Sequence, residues 1–344
     1  MSRSVLRLAA LLLLPALVAG CVPRLPPVVK IGLIAPFEGR YRYLGYDAVY
    51  AARLAVREIN AAGGAGGQRL ELVAYDDRGA PQLARVAARN LAVDPAVVAV
   101  IGDYRQESTA AAAEVLADAG IPLVAIGAWL PRQEGVWHLA PTPERVAGAL
   151  VQAVPGGGAG AVWGEGPVAE ALREEALAVE GGEASIFSLA TPVETGEQLA
   201  RRRAEGWAGR LVGGPELASS TFVEISAAAG EGARFVTPYP FPGDLPAMEG
   251  WIAAYRDVGP HVPEPGPYAL PTYEAVYLLA GAVTVAAEEG VTRSTVAQGL
   301  SVVEREGALG RVAWGAGVFW VEAPLYLYEW RAGEARLVGE AGAP

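Results

Sequence analysis

From Val29 onward the chain repeats one unit. A short apolar run rich in β-branched residues is followed by a longer segment whose apolar positions recur every three or four residues. This alternation, with short connections, restricts the fold to parallel sheets covered by helices on both faces. Val29–Ala35 reads as a buried strand. A helix follows from about Gly45 to Ala62, with Val49, Ala52, Val56 and Ile59 on one face, and Gly63-Gly64 ends it. Leu70, Leu72 and Ala74 alternate on the next strand, which closes at Asp76-Asp77. Pro81 opens a helix through Leu91. Val97–Ile101 is a third strand, Ser108–Ala119 a helix and Ile121–Ile126 a fourth strand.

The glycine run between Pro155 and Gly160 breaks the series, and a second one begins. Its strands are expected near Ala161–Trp163, Ala184–Leu189, Arg210–Val212 and Arg234–Thr237, with helices near 167–180, 194–206 and 217–229. Two helices follow, at about 246–257 and 268–289, and the tail carries strands near Arg311–Trp314 and Leu325–Trp330.

The start of the chain reads as a targeting signal. Arg3 and Arg7 form a basic head, and Leu8–Leu17 is apolar apart from Pro15, too short to span a bilayer stably. Val18-Ala19-Gly20 then leads into the sole cysteine, Cys21, in a pattern similar to the bacterial lipobox. Residues 1–20 are therefore expected to be removed and Cys21 acylated; the alternative is an ordinary cysteine beside a simple cleavage site. A lone cysteine also excludes an intrachain disulfide. The prolines at 23, 26 and 27 make 21–28 a short, stiff tether. The net charge is −11 for the whole chain; without the leader, 25 basic residues face 38 acidic ones, giving −13. Such a body repels phosphate backbones, so nucleic acid is not an expected partner.

In doubly wound sheets, solutes bind beyond the carboxyl ends of the strands. Here those ends are Pro36-Phe37-Glu38-Gly39 with Tyr41 and Tyr43, Gly102 to Thr109, and Gly127-Ala128-Trp129. They are rich in aromatic, amide and small residues. Helix starts near Gly45 and Ser108 offer unpaired N–H groups that suit a carboxylate.

Gly45-Tyr46-Asp47, Glu58-Ile59-Asn60-Ala61-Ala62-Gly63-Gly64 and Leu70–Asp77 resemble the leucine/isoleucine/valine-binding protein family, solute receptors of ABC importers. Val98–Gly102, Ala119–Pro122 and Gly214-Pro215-Glu216 are similar too. The resemblance implies an α/β fold of two Rossmann-like lobes with parallel sheets, joined by a three-segment hinge: the type I periplasmic binding fold. Residues 29–142 plus 239–304 would form lobe 1, and 143–238 plus 305–344 lobe 2. The second lobe is read as shortened, with room for one strand and one connection between Glu180 and Leu199.

Carried over by position, the resemblance puts Gln106 where the family uses a loop hydroxyl against the solute carboxylate, and Tyr104 beside the solute side chain. Gly127 and Ala128 would bind through their backbones. Trp129 replaces a family threonine and would stack on the ligand, block it, or cover a lobe edge. Glu216 matches the acidic partner of the ammonium, or else is a solvated strand-end carboxylate. Tyr43 is a pocket or rim residue. The positions of the family's disulfide are Gly79 and Arg105.

The competing chemical readings are weaker. Adjacent strand residues point to opposite faces, so Asp76 and Asp77 are read as a strand end with one capping carboxylate. His138 and His261 lack zinc-ligand spacing. The Gly156–Gly160 cluster precedes a strand, whereas a phosphate loop follows one. No cofactor, metal or enzymatic activity is expected. The expectation is an extracytoplasmic, lipid-anchored receptor that delivers an amino acid of branched-chain type, or a similar small polar solute, to ABC permease subunits. The alternative is a lipoprotein that kept the scaffold but serves protein interaction or sensing.

Overall fold

The computed structural model describes residues 26–131, 133–154, 160–176, 185–315 and 318–341. The expected signal peptide, Cys21, most of the tether and most of the glycine run at 155–160 lie outside the described residues.

The first series builds β1 (Val28–Ala35), α1 (Arg42–Ala61), β2 (Arg69–Asp76), α2 (Pro81–Ala92), β3 (Val97–Ile101), α3 (Gln106–Asp118), β4 (Leu123–Ala125) and β5 (Val136–His138). Its sheet is parallel in the order β2-β1-β3-β4-β5. Alternation along β1 sends Ile31 and Leu33 to one face and Ile34 to the other. Ile31 and Leu33 share a core with Leu54 of α1, whereas Ile34 packs with Ala84 and Ala88 of α2 and Leu116 of α3. Each of the buried isoleucine and leucine side chains contributes about 1.5–3 kcal/mol relative to exposure. Helix α1 starts at Arg42 because a 3₁₀ turn at Gly39–Tyr41 leads directly into it. Gly45 lets that helix approach the end of β1; a Cβ there would lie 2.1 Å from the Pro36 carbonyl oxygen.

The second series builds α4 (Pro143–Gln152), β6 (Gly160–Trp163), α5 (Pro167–Ala176), β7 (Ser185–Ser188), α6 (Pro192–Ala204), β8 (Arg210–Gly213), α7 (Ser220–Ser226) and β9 (Arg234–Thr237). Next come α8 (Glu249–Arg256), α9 (Ala269–Ala286), α10 (Arg293–Leu300), the hairpin β10 (Arg305–Gly307) and β11 (Gly310–Val312), and the hairpin β12 (Tyr326–Arg331) and β13 (Glu334–Glu340). The second sheet runs β13-β12-β9-β8-β7-β6. Strands β6 to β9 are parallel, and the closing hairpin is antiparallel.

Sequence periodicity passes over β5, α4, α10, β10 and β13. The first is only three residues long. Strand β13 is a polar edge, Glu-Ala-Arg-Leu-Val-Gly-Glu, without an apolar run. Helix α10 spans eight residues and is set by its capping box, in which the Thr292 side chain accepts from Thr295 N–H.

The chain passes between the sheets three times, and the crossings touch. His138 N–H donates to the Val318 carbonyl (2.8 Å), and its ring stacks on Phe319 at 4.5 Å. Burial lowers His138 to a pKa of about 4, so the stacked ring is neutral. The expected lobe switch at 304/305 falls too early. Leu309, Val312, Trp320 and Ala323 pack into the core of the first sheet, whereas Phe319 packs against that of the second and Leu325 is buried in it. The cause is electrostatic as well as apolar. Glu274, fully buried on α9, ion-pairs with Arg305 and accepts a 2.8 Å bond from Ala308 N–H, which ties the β10–β11 hairpin to α9.

Helix α9 is the one helix among the described residues long and apolar enough to cross a membrane, yet it is mostly buried and packs between α1 and α10. It is the core helix of the first layer.

Arg305→Met strands Glu274 as a buried charge without its cation. Urea denaturation is expected to show a loss of about 3 kcal/mol, and the double change with Glu274→Gln should recover part of it.

Candidate functional site

The tips of the two sheets face each other across a cavity of about 490 Å³, counting the part open to solvent. Tyr41, Tyr43, Leu44, Tyr104, Arg105, Gln106, Gly127 and Tyr268 line it from the first layer; Leu189, Thr191, Pro192 and Glu216 line it from the second. The cavity is therefore built where strand ends leave backbone and side chains uncovered by helices.

Glu216 lies in a 3₁₀ turn directly after β8. Its Oε2 is buried and has no hydrogen-bond partner. Burial pushes the carboxyl up to about 7. Tyr43, Tyr239 and Tyr268 lie close enough for its charge to raise their own pKa values further, beyond the larger effect of burial. Tyr43 reaches from α1 toward Ser219, which offsets part of that rise, so it meets the second layer beside this carboxylate.

Tyr104 lies at the tip of β3. Its hydroxyl pairs with Thr272 Oγ1 at 2.7 Å, and its ring meets Tyr268 edge-on at 5.8 Å. Gln106 opens α3, but its carboxamide turns to the tip of β4. Nε2 donates to the Trp129 carbonyl (2.8 Å), and Trp129 N–H donates to Oε1 (3.0 Å). Gly127 lines the cavity with φ +74°, and its N–H donates to the Tyr239 hydroxyl at 3.0 Å. A Cβ at Gly127 would come within 3.1 Å of the Tyr268 ring, so glycine permits both the turn and the ring's approach.

Two expected residues lie elsewhere. The Trp129 indole does not stack over the cavity. It donates to the Pro141 carbonyl (2.8 Å) and packs with Val146, Leu150 and Leu325 in the core of the second layer. A large amphipathic ring gains more there, with its N–H satisfied and its area removed from water, than at a wet rim. Ala128 is fully buried, and its carbonyl meets His138 Nδ1 at 3.1 Å, so it too stands outside the lining.

The structure adds residues that local patterns do not reveal. Tyr239 follows β9 at a crossing and bonds through one hydroxyl to Gly127 N–H and the Leu139 carbonyl (2.9 Å). Tyr268 is positioned by Asp47, which accepts from Gly266 N–H (3.1 Å) and Tyr268 N–H (3.4 Å). Burial raises Asp47 to about 7. The Pro238-Tyr239-Pro240 run was the available signal for Tyr239. Asp47 stands in the quoted Gly45-Tyr46-Asp47 motif. Arg105 lies 4.0 Å from the centre of the Tyr41 ring and donates to Glu107 (3.0 Å) and to the Gly79 carbonyl. The positions of the family disulfide are thus joined here by a hydrogen bond.

Asp76 caps backbone as expected, with Oδ1 accepting from Phe37 N–H (2.8 Å) and Arg78 N–H (2.9 Å). Asp77 instead turns inward to Asp103, and both are fully buried. Burial first, and the charge of Asp77 second, hold Asp103 well above the ordinary carboxylate range. Among the described residues no cluster of metal-ligating side chains occurs.

Glu216 is raised in the folded state, so its contribution to stability is complete below its unfolded pKa of about 4.3 and is lost as pH climbs through 7. Glu216→Gln lacks that loss. Thermal unfolding of ligand-free protein between pH 5 and 8 should show the variant gaining on the wild type as pH rises.

A periodic pattern of this kind has known counterparts. The family model for periplasmic binding protein matches residues 28–164 and 173–335. The leucine-specific-binding protein of Salmonella typhimurium is 26% identical over 294 residues, 74% of this chain and 79% of its own. The Streptococcus pneumoniae LivJ substrate-binding protein of a branched-chain amino acid transporter, solved with isoleucine, superposes with a TM-score of 0.76 at 22% identity, covering 91% of this chain and 99% of that one. A solute-binding protein of an ABC transporter from R. palustris, solved with benzoate, gives 0.72 at 17% identity, covering 92% and 98%. These relatives bind and do not catalyse. Two sheets joined by three crossings, with a tyrosine-lined cavity at their facing tips, match them in fold, and the family match runs through nearly all of the described residues: the chain belongs to the periplasmic binding protein family.

Proposed function

We propose that this protein is the extracytoplasmic receptor of an ABC importer of the branched-chain amino acid type, and that its cavity holds an amino acid or similar small solute through an ammonium group. The observation that carries this reading is Glu216: a buried carboxylate oxygen without a partner, presented by the second layer to a tyrosine wall of the first. A solute ammonium supplies the missing counter-charge, and the rings of Tyr43 and Tyr268 favour a cation beside them. Leu44 and Leu189 offer apolar contact to an aliphatic body. Both layers contribute contacts, so the bound solute favours the closed arrangement that a permease would recognise. The relatives solved with isoleucine and with benzoate support a small organic solute. Acylation of Cys21 would tether the body to the membrane through the proline-rich segment.

Calorimetric titration with leucine, isoleucine and valine is expected to give binding, accompanied by compaction in small-angle scattering. Glu216→Ala should weaken it by about thirtyfold or more, the cost of truncating one side of a buried charge pair. Binding unaffected by that change would remove Glu216 from the site. Absence of heat with every amino acid would favour the interaction-lipoprotein alternative. Affinity should rise from pH 5 to 8 as Glu216 ionises through its value of about 7, since an ammonium needs the carboxylate. Metabolic labelling with a fatty acid tests the anchor: Cys21→Ala should lose the label and release the protein from membranes.

A further inference from the structure

The parallel strands of the first layer all begin at one end, opposite the cavity. Loops 62–68, 93–96 and 119–122 close that end beside the start of β1. The backbone is fixed from Pro27, whose carbonyl accepts from Arg69 N–H at 2.8 Å as β1 pairs with β2. Charge at the centre of this end is met from within. Arg293, at the start of α10, donates to the carbonyls of Ala92, Asp94, Val97 and Ala119 at 2.9–3.1 Å. Lys30 pairs with Asp94 at 2.7 Å. Val28, Gly63, Gly67, Val93, Pro95 and Gly120 face outward, and none carries a charge. Val93 is 82% exposed and Val28 42%. The flanking turns and helix ends bring charges of both signs to the margin: Arg69 and Arg89, with Asp118, Glu134, Glu288 and Glu289.

Six residues, Cys21 to Pro26, separate the expected acylation site from this end. Whatever their conformation, they reach at most about 20 Å, roughly half the width of a lobe of ordinary domain size. We infer that the strand-start end of the first layer is a membrane-contact surface, held against phospholipid headgroups by the short tether, with Val28 and Val93 toward the bilayer. The inference rests on the acylation of Cys21 proposed above and adds which face of the body meets the lipid. Tether length and charge both select phospholipid as the occupant. Inverting the body puts the exit out of reach of the bilayer, and laying it on its side draws the tether taut, at a cost in chain entropy. The body is net acidic and is repelled by anionic headgroups, whereas this end presents an uncharged centre. Two exposed valines would not hold the body there alone; the tether supplies the effective concentration. The cavity, at the other end of β1 and about 26 Å away along its eight residues, is thereby held at a set height above the lipid.

Fluorescence quenching of the full acylated chain on vesicles of phosphatidylcholine and phosphatidylglycerol, with a spin label on the headgroups, tests this. Acylation occupies the sulfur of the sole cysteine, so a second cysteine takes the fluorophore at one place. Val93→Cys and Pro95→Cys report on the proposed surface, and Val338→Cys on β13 reports on the second layer; all three positions are exposed. The label is expected to lose most of its fluorescence at 93 and 95 and to keep it at 338. A flexible insert of about twenty Gly and Ser residues between Arg24 and Leu25 lowers the effective concentration, and most of the quenching at 93 should vanish. Equal quenching at 93, 95 and 338 in protein that carries the fatty acid overturns the inference and leaves the anchor standing. Quenching at 93 unchanged by the insert overturns it as well, because the contact would then owe nothing to the tether. Protein that carries no fatty acid and washes off the vesicles overturns both the anchor and this inference.

Discussion

Both faces of the first sheet are buried, and the rest of the molecule follows from that. A parallel strand such as β1 has α1 and α9 on one side and α2 and α3 on the other, so neither face is open to a solute. Polar and aromatic groups with work to do are confined to the strand tips. The tips of β3 and β4 in one layer and of β8 in the other are where Tyr104, Gln106, Gly127 and Glu216 are found. The covered sheet gives these residues a rigid base, and the three crossings set which tips face each other.

The crossings are themselves a structural unit. His138, neutral because it is buried, stacks on Phe319, and its backbone bonds to Val318. Tyr239 spans from Leu139 to Gly127 through one hydroxyl. The same tyrosine therefore ties the hinge to Gly127 in the wall of the cavity. A change in the cavity is coupled by direct contact to the segments about which the layers would move.

Charge inside the cavity is arranged asymmetrically. At the tip of β4 in the first layer, Gly127 N–H and Trp129 N–H are taken by Tyr239 and Gln106, and Arg105 donates to Glu107. The second layer leaves Glu216 with an open oxygen. A buried carboxylate without a counter-ion is costly to keep charged, and burial raises this one to about 7. Asp103, buried beside Asp77, meets the same difficulty, and burial holds it well above the ordinary carboxylate range.

The sequence by itself determined the βα order, the parallel sheets and the loops that carry the site. These depend on local alternation, helical spacing and breaker residues, which a linear pattern records. It also pointed to Glu216, Gln106, Tyr104 and Gly127, because strand ends are readable and the family motif marks them. Pattern alone passed over the short strand β5, the polar edge β13 and the capped helix α10, which are set by strand pairing and by a cap and carry no long apolar period. Only the tertiary structure decided that the Trp129 ring belongs to a core, that the β10–β11 hairpin stays with the first layer through Glu274, and that Asp47 and Tyr239 support the cavity from afar. A side chain's direction is settled by which environment best removes its apolar area from water while pairing its polar atoms, and that choice exists only once the layers have packed.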